Sequence, residues 1–149
     1  MRVAYAPGIE QWVADRIPGC DRGFGECKAL GVWRDDDLIA ALVYHNWCPE
    51  WGTIEVSAAG SGHWMTRGTI TELLEYPFSF CQMVIAQHAR KSRARRIWQQ
   101  LGATEHVIPR LRGRDDDGYL ATLTDDAWEQ SRFNLKGSHY GQAKGSSAT

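Results

Sequence analysis

Side chains able to bind an anion or move a proton are concentrated in two stretches of this chain. In one, Arg90, Lys91 and Arg93 follow the apolar run Met83-Val84-Ile85-Ala86 and precede a stripe of Ala94, Ile97, Trp98 and Leu101 at three- and four-residue intervals. The run reads as a buried strand, and residues 90–101 as a helix capped by Gly102. Cations in a first helical turn sit at the positive end of the macrodipole, where they are unfavourable unless something anionic lies nearby. The stretch therefore invites a phosphate, the alternative being a solvated face whose arginines serve solubility. In the other stretch, Thr53, Glu55 and Ser57 alternate with Ile54, Val56 and Ala58, placing a carboxylate and a hydroxyl on one face of a strand. On the preceding strand Tyr44 and His45 fall on opposite faces. Carboxylate, imidazole and phenol are the groups that general acid–base chemistry uses.

The elements that would position these groups follow in order. Residues 2–5 predict a strand, 9–17 a short helix ended by Pro18-Gly19, and 28–34 with 38–47 a hairpin about Asp35-Asp36-Asp37. A strand over 53–58 leads through Gly60-Ser61-Gly62 into a helix running to about residue 80, which Pro77 should kink or shorten. After the central strand and basic helix, 105–112 and 119–124 predict a second hairpin, with Arg110, Arg112 and Arg114 alternating along its first arm. Thr124-Asp125-Asp126 reads as the cap of a last short helix bearing Trp128. The expected organisation is one domain over 1–133 and a disordered tail over 134–149, poor in apolar anchors.

Composition narrows the classes. A chain of 149 residues, 43% hydrophobic and with seven tryptophans, is enough for one packed core. The formal net charge of −1 offers no global attraction to nucleic acid or membrane, so anion binding must be local. The four cysteines show no paired spacing and no histidine at ligand distance in sequence, so no metal site is expected. No apolar run nears membrane-spanning length and residues 1–5 do not form a signal peptide, which makes a cytoplasmic protein the expectation.

The stretch Gly68-Thr69-Ile70-Thr71-Glu72-Leu73-Leu74, then the strand, then Ala94-Arg95-Arg96-Ile97-Trp98-Gln99-Gln100-Leu101-Gly102-Ala103, resembles the GNAT superfamily of N-acetyltransferases. There a glycine-led turn opens a helix bearing "TEAL", followed by a strand and "SRRVLEKLGF". The likeness spans about residues 28–123 and is nearest the ribosomal-protein N-terminal acetyltransferase branch, in its compact bacterial or phage form.

The resemblance implies an α/β fold with a mixed, largely antiparallel central sheet and helices on both faces. It implies acetyl-CoA, or another acyl-CoA, with its pantetheine arm beside Val56, Ser57 and Ala58 and its pyrophosphate at Thr66, Arg67, Gly68, Thr69 and Ile70. The family loop Q/R-x-x-G-x-G/A falls on Met65, Gly68 and Ile70, so only its first glycine is kept. Lys91 and Arg93 join the cofactor set; Ala94 stands at the family's small polar position, and Trp98 at that of a tyrosine that protonates the leaving thiolate. Glu55 is the expected base with Ser57 beside it, and Tyr44 and His45 are the reserves. The expected reaction is direct acyl transfer to a primary amine on a small molecule or a protein, with a homodimer allowed. The rivals are modification of a nucleic-acid base or tRNA-linked amine, and a non-catalytic module using Arg110, Arg112 and Arg114 on phosphates. Nucleic acid is disfavoured by the acidic turns at 35–37 and 115–117.

Overall fold

The computed structural model describes residues 1–20 and 22–137. Seven strands form one sheet in the order β1-β2-β3-β4-β5-β7-β6. In chain order the elements are β1 (Arg2–Ala4), α1 (Ile9–Ala14), β2 (Cys27–Arg34), β3 (Asp37–Cys48), β4 (Thr53–Gly60), α2 (Arg67–Phe78), β5 (Met83–His88), α3 (Ala94–Leu101), β6 (Thr104–Ile108), β7 (Gly118–Thr124) and α4 (Asp125–Gln130). Every neighbouring pair is antiparallel except β4 with β5. That parallel pair requires a crossover, and α2 supplies it. The fold class and the two-sided helix arrangement agree with the sequence reading.

Alternation along β3 divides the core. Ala40, Leu42 and Tyr44 point to one face, where Ile54, Val56, Val84 and Leu73 of α2 complete a cluster. Ala41 and Val43 point to the other, against Ile9 and Val13 of α1. A third cluster joins Ile70 and Leu74 of α2 to Leu101, Leu123 and Trp128, so α2, α3 and α4 share the first face and α1 has the second. Thr66 caps α2 and Thr124 caps α4, their hydroxyls accepting from the N–H groups of Thr69 and Ala127 at 3.2 Å each. Pro77 falls in the last turn of α2, which ends one residue later. All four cysteines are free thiols. No helix among the described residues is long and apolar enough to cross a membrane.

Three expectations need correction. The basic helix begins at Ala94, not at residue 90. Residues 89–93 form a turn in which the Ser92 hydroxyl accepts from the Ala94 N–H at 3.3 Å, a local bond that competes with helix and spares three cations a place in the first turn. Strand β6 stops at Ile108 because Pro109 has no N–H for a ladder, and Arg110 adopts a left-handed φ of 65°. Arg110, Arg112 and Arg114 therefore lie in the turn before β7 and do not alternate along a strand.

The tail expected from residue 134 is anchored at its start. Asn134 is 4% exposed; its Nδ2 donates to the Trp128 carbonyl at 3.1 Å and its Oδ1 accepts from the Lys136 N–H at 3.0 Å. The Leu135 N–H donates to the Thr71 hydroxyl at 3.1 Å. Polar side chains thus tie this segment to α4 and α2. Residues 138–149 of that expected tail lie outside the described residues. Asn134→Ala should lower stability by about 1–2 kcal/mol, since it removes the bonds to the Trp128 carbonyl, which keeps only the Ser131 N–H, and to the Lys136 N–H; the urea midpoint checks this.

Candidate functional site

Strands β4 and β5 pair in parallel over four positions, from Thr53↔Met83 to Val56↔Ala86. They then part. Strand β4 continues to Gly60 paired only with β3, and β5 continues to His88 paired only with β7. From Ser57 onward the β5-facing backbone edge of β4 has no strand beside it, so its N–H and C=O groups are open to a ligand. Val56 is buried, whereas Ala58, two residues on and facing the same side, is exposed. Space opens there between the strands.

The start of α2 stands at this opening. The amide of Thr66 donates to Trp64 at 3.0 Å, that of Thr69 to the Thr66 hydroxyl, and that of Ile70 to the Thr66 carbonyl at 2.9 Å. Of the five nominated residues, Thr66, Thr69 and Ile70 thus have their amides engaged within the turn. No atom lies within 4 Å of where a Gly68 Cβ would stand, so a phosphate can approach the backbone closely. Ile70, which departs from the small residue of the family loop, points into the core with Leu74 and Leu101 and does not obstruct the turn. Lys91 and Arg93 are exposed in the turn before α3, and Ala94 opens that helix.

Glu55, Ser57 and His45 come together on the face away from α2. His45 is directly opposite Glu55 in the β3–β4 register. Its Nε2 is 2.9 Å from the Ser57 hydroxyl and its Nδ1 is 4.0 Å from a Glu55 oxygen. The Phe24 ring covers it at 4.9 Å. Burial pushes the His45 pKa below its ordinary value, and Glu55 partly opposes that shift. The ring is therefore neutral at neutral pH and able to accept a proton, with a carboxylate beside it.

Tyr44 is not in this group. It points to the opposite face, is 1% exposed, and its hydroxyl donates to the Leu73 carbonyl, while burial drives its pKa far up. It is a core residue. Tyr44 and His45 nevertheless both border a cavity of about 480 Å³ with Phe24, Trp47, Tyr76 and Phe80, at the start of β4.

Trp98 packs between two core clusters, its ring 6.3 Å from that of His88. The sequence reading passed over His88. Its Nδ1 is buried without a partner, alone in that respect among side-chain atoms of the described residues. Burial lowers its pKa from 6.5 to about 4; Glu105 pulls upward, Arg95 and Arg112 downward. A usable signal was present, because period-2 alternation from Val84 and Ala86 puts residue 88 on the same inner face.

The arginines nearest it are engaged. Arg95 makes a two-pronged pair with Glu105 at 2.9 and 2.7 Å, donates to the Arg90 carbonyl at 2.6 Å, and lies 3.7 Å over the Tyr119 ring. That pairing holds the Glu105 carboxyl below its usual range. Arg112 donates to the Gln87 side chain at 3.4 Å.

No protein-family model matches the chain, and no curated protein matches it. Solved structures do. A probable acetyltransferase aligns with TM-score 0.57 and 18% identity, over 69% of this chain and 64% of that one. A mutant of the spermidine N-acetyltransferase SpeG from Vibrio cholerae aligns with TM-score 0.59 and 14% identity, over 70% and 69%. A probable acetyltransferase of the GNAT family from Chromobacterium violaceum gives 0.58 and 15%, over 70% and 62%. The chain has the GNAT fold. It spans 64% of the first of these structures and close to two thirds of the others. At such identities the shared property is the fold, so each role at the GNAT split rests on this chain's own residues.

A histidine whose folded pKa is depressed favours the neutral folded state, so its stabilisation is complete above the unfolded value and lost as pH falls towards the folded one. For His88 that window runs from 6.5 down to about 4, and His45 acts in the same direction. The melting temperature should therefore fall between those pH values, and His88→Phe should flatten the decline. A melting series in steps of pH measures both slopes.

Proposed function

We propose that the protein is an acyl-CoA-dependent N-acyltransferase, with acetyl-CoA as donor, that passes the acyl group directly to a primary amine. The observation that carries this reading is the parting of β4 and β5 after Val56↔Ala86 with the Arg67-Gly68 turn beside it. A split parallel pair offers open backbone groups to an amide-bearing arm, and a helix start offers N–H groups to a pyrophosphate. Val56, Ser57 and Ala58 would flank the arm, with Lys91 and Arg93 supplying further cations.

A bound acyl-CoA supplies a thioester, an acyl carbon already activated for attack by an amine. Glu55 and His45 would take the proton from the incoming ammonium, and Ser57 would fix the His45 ring through the 2.9 Å contact. In the transfer the amine nitrogen bonds to the acyl carbon, the C–S bond breaks, and the electron pair leaves on sulfur. No covalent enzyme intermediate is required. The cavity beside His45 is lined by the rings of Phe24, Trp47, Tyr76 and Phe80 together with Glu26 and Lys28, and the rings and the carboxylate are groups that attract a cationic amine. The likeness to the ribosomal-protein branch makes a protein N-terminus one acceptor to screen, and the neighbour named for spermidine makes a polyamine another.

Acetyl-CoA at 100 times its dissociation constant should stabilise the protein by roughly 2.7 kcal/mol, read as a thermal shift; no shift at millimolar ligand removes the reading. With an accepted amine, Glu55→Gln should cut turnover by about 10²–10⁴-fold and leave acetyl-CoA binding unchanged. Unaltered turnover would assign the proton to His45 or water.

A further inference from the structure

We propose that His88 donates a hydrogen bond from Nδ1 to the sulfur of CoA as the thioester breaks. This role rests on the acyl-transfer reading above.

The orphaned atom is the starting point. A buried ring nitrogen without a partner is costly to keep, and native structures seldom keep one without a reason. His88 is the last residue of β5, two positions beyond Ala86, where pairing with β4 has already ended. Its face is that of Val84 and Ala86, the side on which α2 and α3 pack. His88 thus stands on β5 beyond the end of its pairing with β4, on the face of the sheet that Ala58 shares.

The neighbours leave the nitrogen unclaimed. Tyr119, directly across on β7, lies under the Arg95 guanidinium. On α3, Arg95 is held by Glu105 of β6 and the Arg90 carbonyl, and Trp98 presents an indole ring. In the turn before β7, Arg112 is held by Gln87. Burial keeps the ring neutral, with Glu105 pulling its pKa upward and Arg95 and Arg112 pulling it downward, so an unclaimed N–H is left to offer to an acceptor. A thiolate is the anion this reaction produces.

The proton balance gives the role its limits. The ring is neutral at neutral pH, so in the Nδ1–H tautomer it offers a hydrogen bond and keeps its proton. The electron pair of the broken C–S bond stays on sulfur, and the thiolate regains a proton from solvent as the ammonium proton departs through Glu55 and His45. An aimed donor of this kind acts because it is in place before the charge develops. Trp98, at the position where the GNAT resemblance leads one to expect a tyrosine, offers no titratable hydroxyl.

The test measures the thiol itself. Free CoA is bound to wild type, His88→Phe and His88→Asn, and the thiol of the bound molecule is titrated by its ultraviolet thiolate absorbance. In wild type its pKa should fall below the ordinary thiol value of about 8.5. His88→Phe should return it to that value, and His88→Asn, whose side-chain amide places a donor near Nδ1, should restore part of the depression. Turnover with an accepted amine should drop about 10²-fold in His88→Phe. The ligand-free His88→Phe protein should melt no lower than wild type at pH 7, because no hydrogen bond is lost; if it does not fold, His88→Leu serves as the donorless variant. Equal thiol pKa values in wild type and the donorless variant, with CoA bound to both, would overturn the proposal and leave the acyl-transfer reading intact. Failure of wild type to bind CoA or acetyl-CoA would remove both.

Discussion

The four-position parallel ladder between β4 and β5 is the constraint on which the remaining architecture depends. Its end at Val56↔Ala86 is not fraying, because each strand is tied along its far edge: Ala40 is opposite Gly60 on one side and Tyr119 opposite His88 on the other. Two rigid half-sheets therefore diverge from a common seam. Helices that follow parallel strands begin at the strands' carboxyl ends, so α2 and the turn leading into α3 both start where the seam opens. The opening between β4 and β5 needs no loop to form it. Its walls are strand edges, and its shape is set by the same hydrogen bonds that stabilise the sheet.

Charge is divided between structure and surface. Arg95 is committed to Glu105, Tyr119 and the Arg90 carbonyl, which fastens α3 to the β6–β7 hairpin. Planar guanidinium geometry explains why arginine holds that position, since one side chain meets a carboxylate, a carbonyl and a ring together. Lys91 and Arg93, three residues or fewer from Ala94, are exposed instead. The basic cluster that looks continuous in sequence thus separates into a structural clamp and two cations beside the open seam.

Much of the fold was legible because local and tertiary signals agreed. Alternation in 38–47 and 53–58 gave the faces correctly over 40–45 and 54–57, the irregularity after His45 turning Trp47 towards Phe80 just after α2, and Thr124-Asp125-Asp126 marked a real cap. Where the reading failed, a short-range bond or a backbone limit prevailed over pattern. Ser92 took the amide that would have extended the basic helix, Pro109 ended β6 inside an apparently extended run, and Asn134 anchored a segment that composition alone marked as unstructured. The candidate site was legible in part. Glu55 and Ser57 shared a face by period, but their meeting with His45 depends on the β3–β4 register, which no single strand encodes. Tyr44 was separable from His45 by parity, and the pairing of Arg95 with Glu105 required the hairpin to fold back over α3.

Two histidines show how one sheet can hold opposite chemical tasks. His45 and His88 are both kept neutral by burial, yet they lie on opposite faces and differ in their partners. His45 has a hydroxyl at one nitrogen and a carboxylate near the other, a setting that steadies the ring as it gains a proton. His88 has no partner at Nδ1, and burial outweighs the upward pull of Glu105, with Arg95 and Arg112 acting in the same sense as burial, a setting that keeps the ring neutral with an N–H to donate. In the proposed reaction the proton leaves on the first face and negative charge appears on the second. Because the sheet separates the two groups, neither site neutralises the other, and the seam between β4 and β5 is where both faces can be reached by one reacting centre.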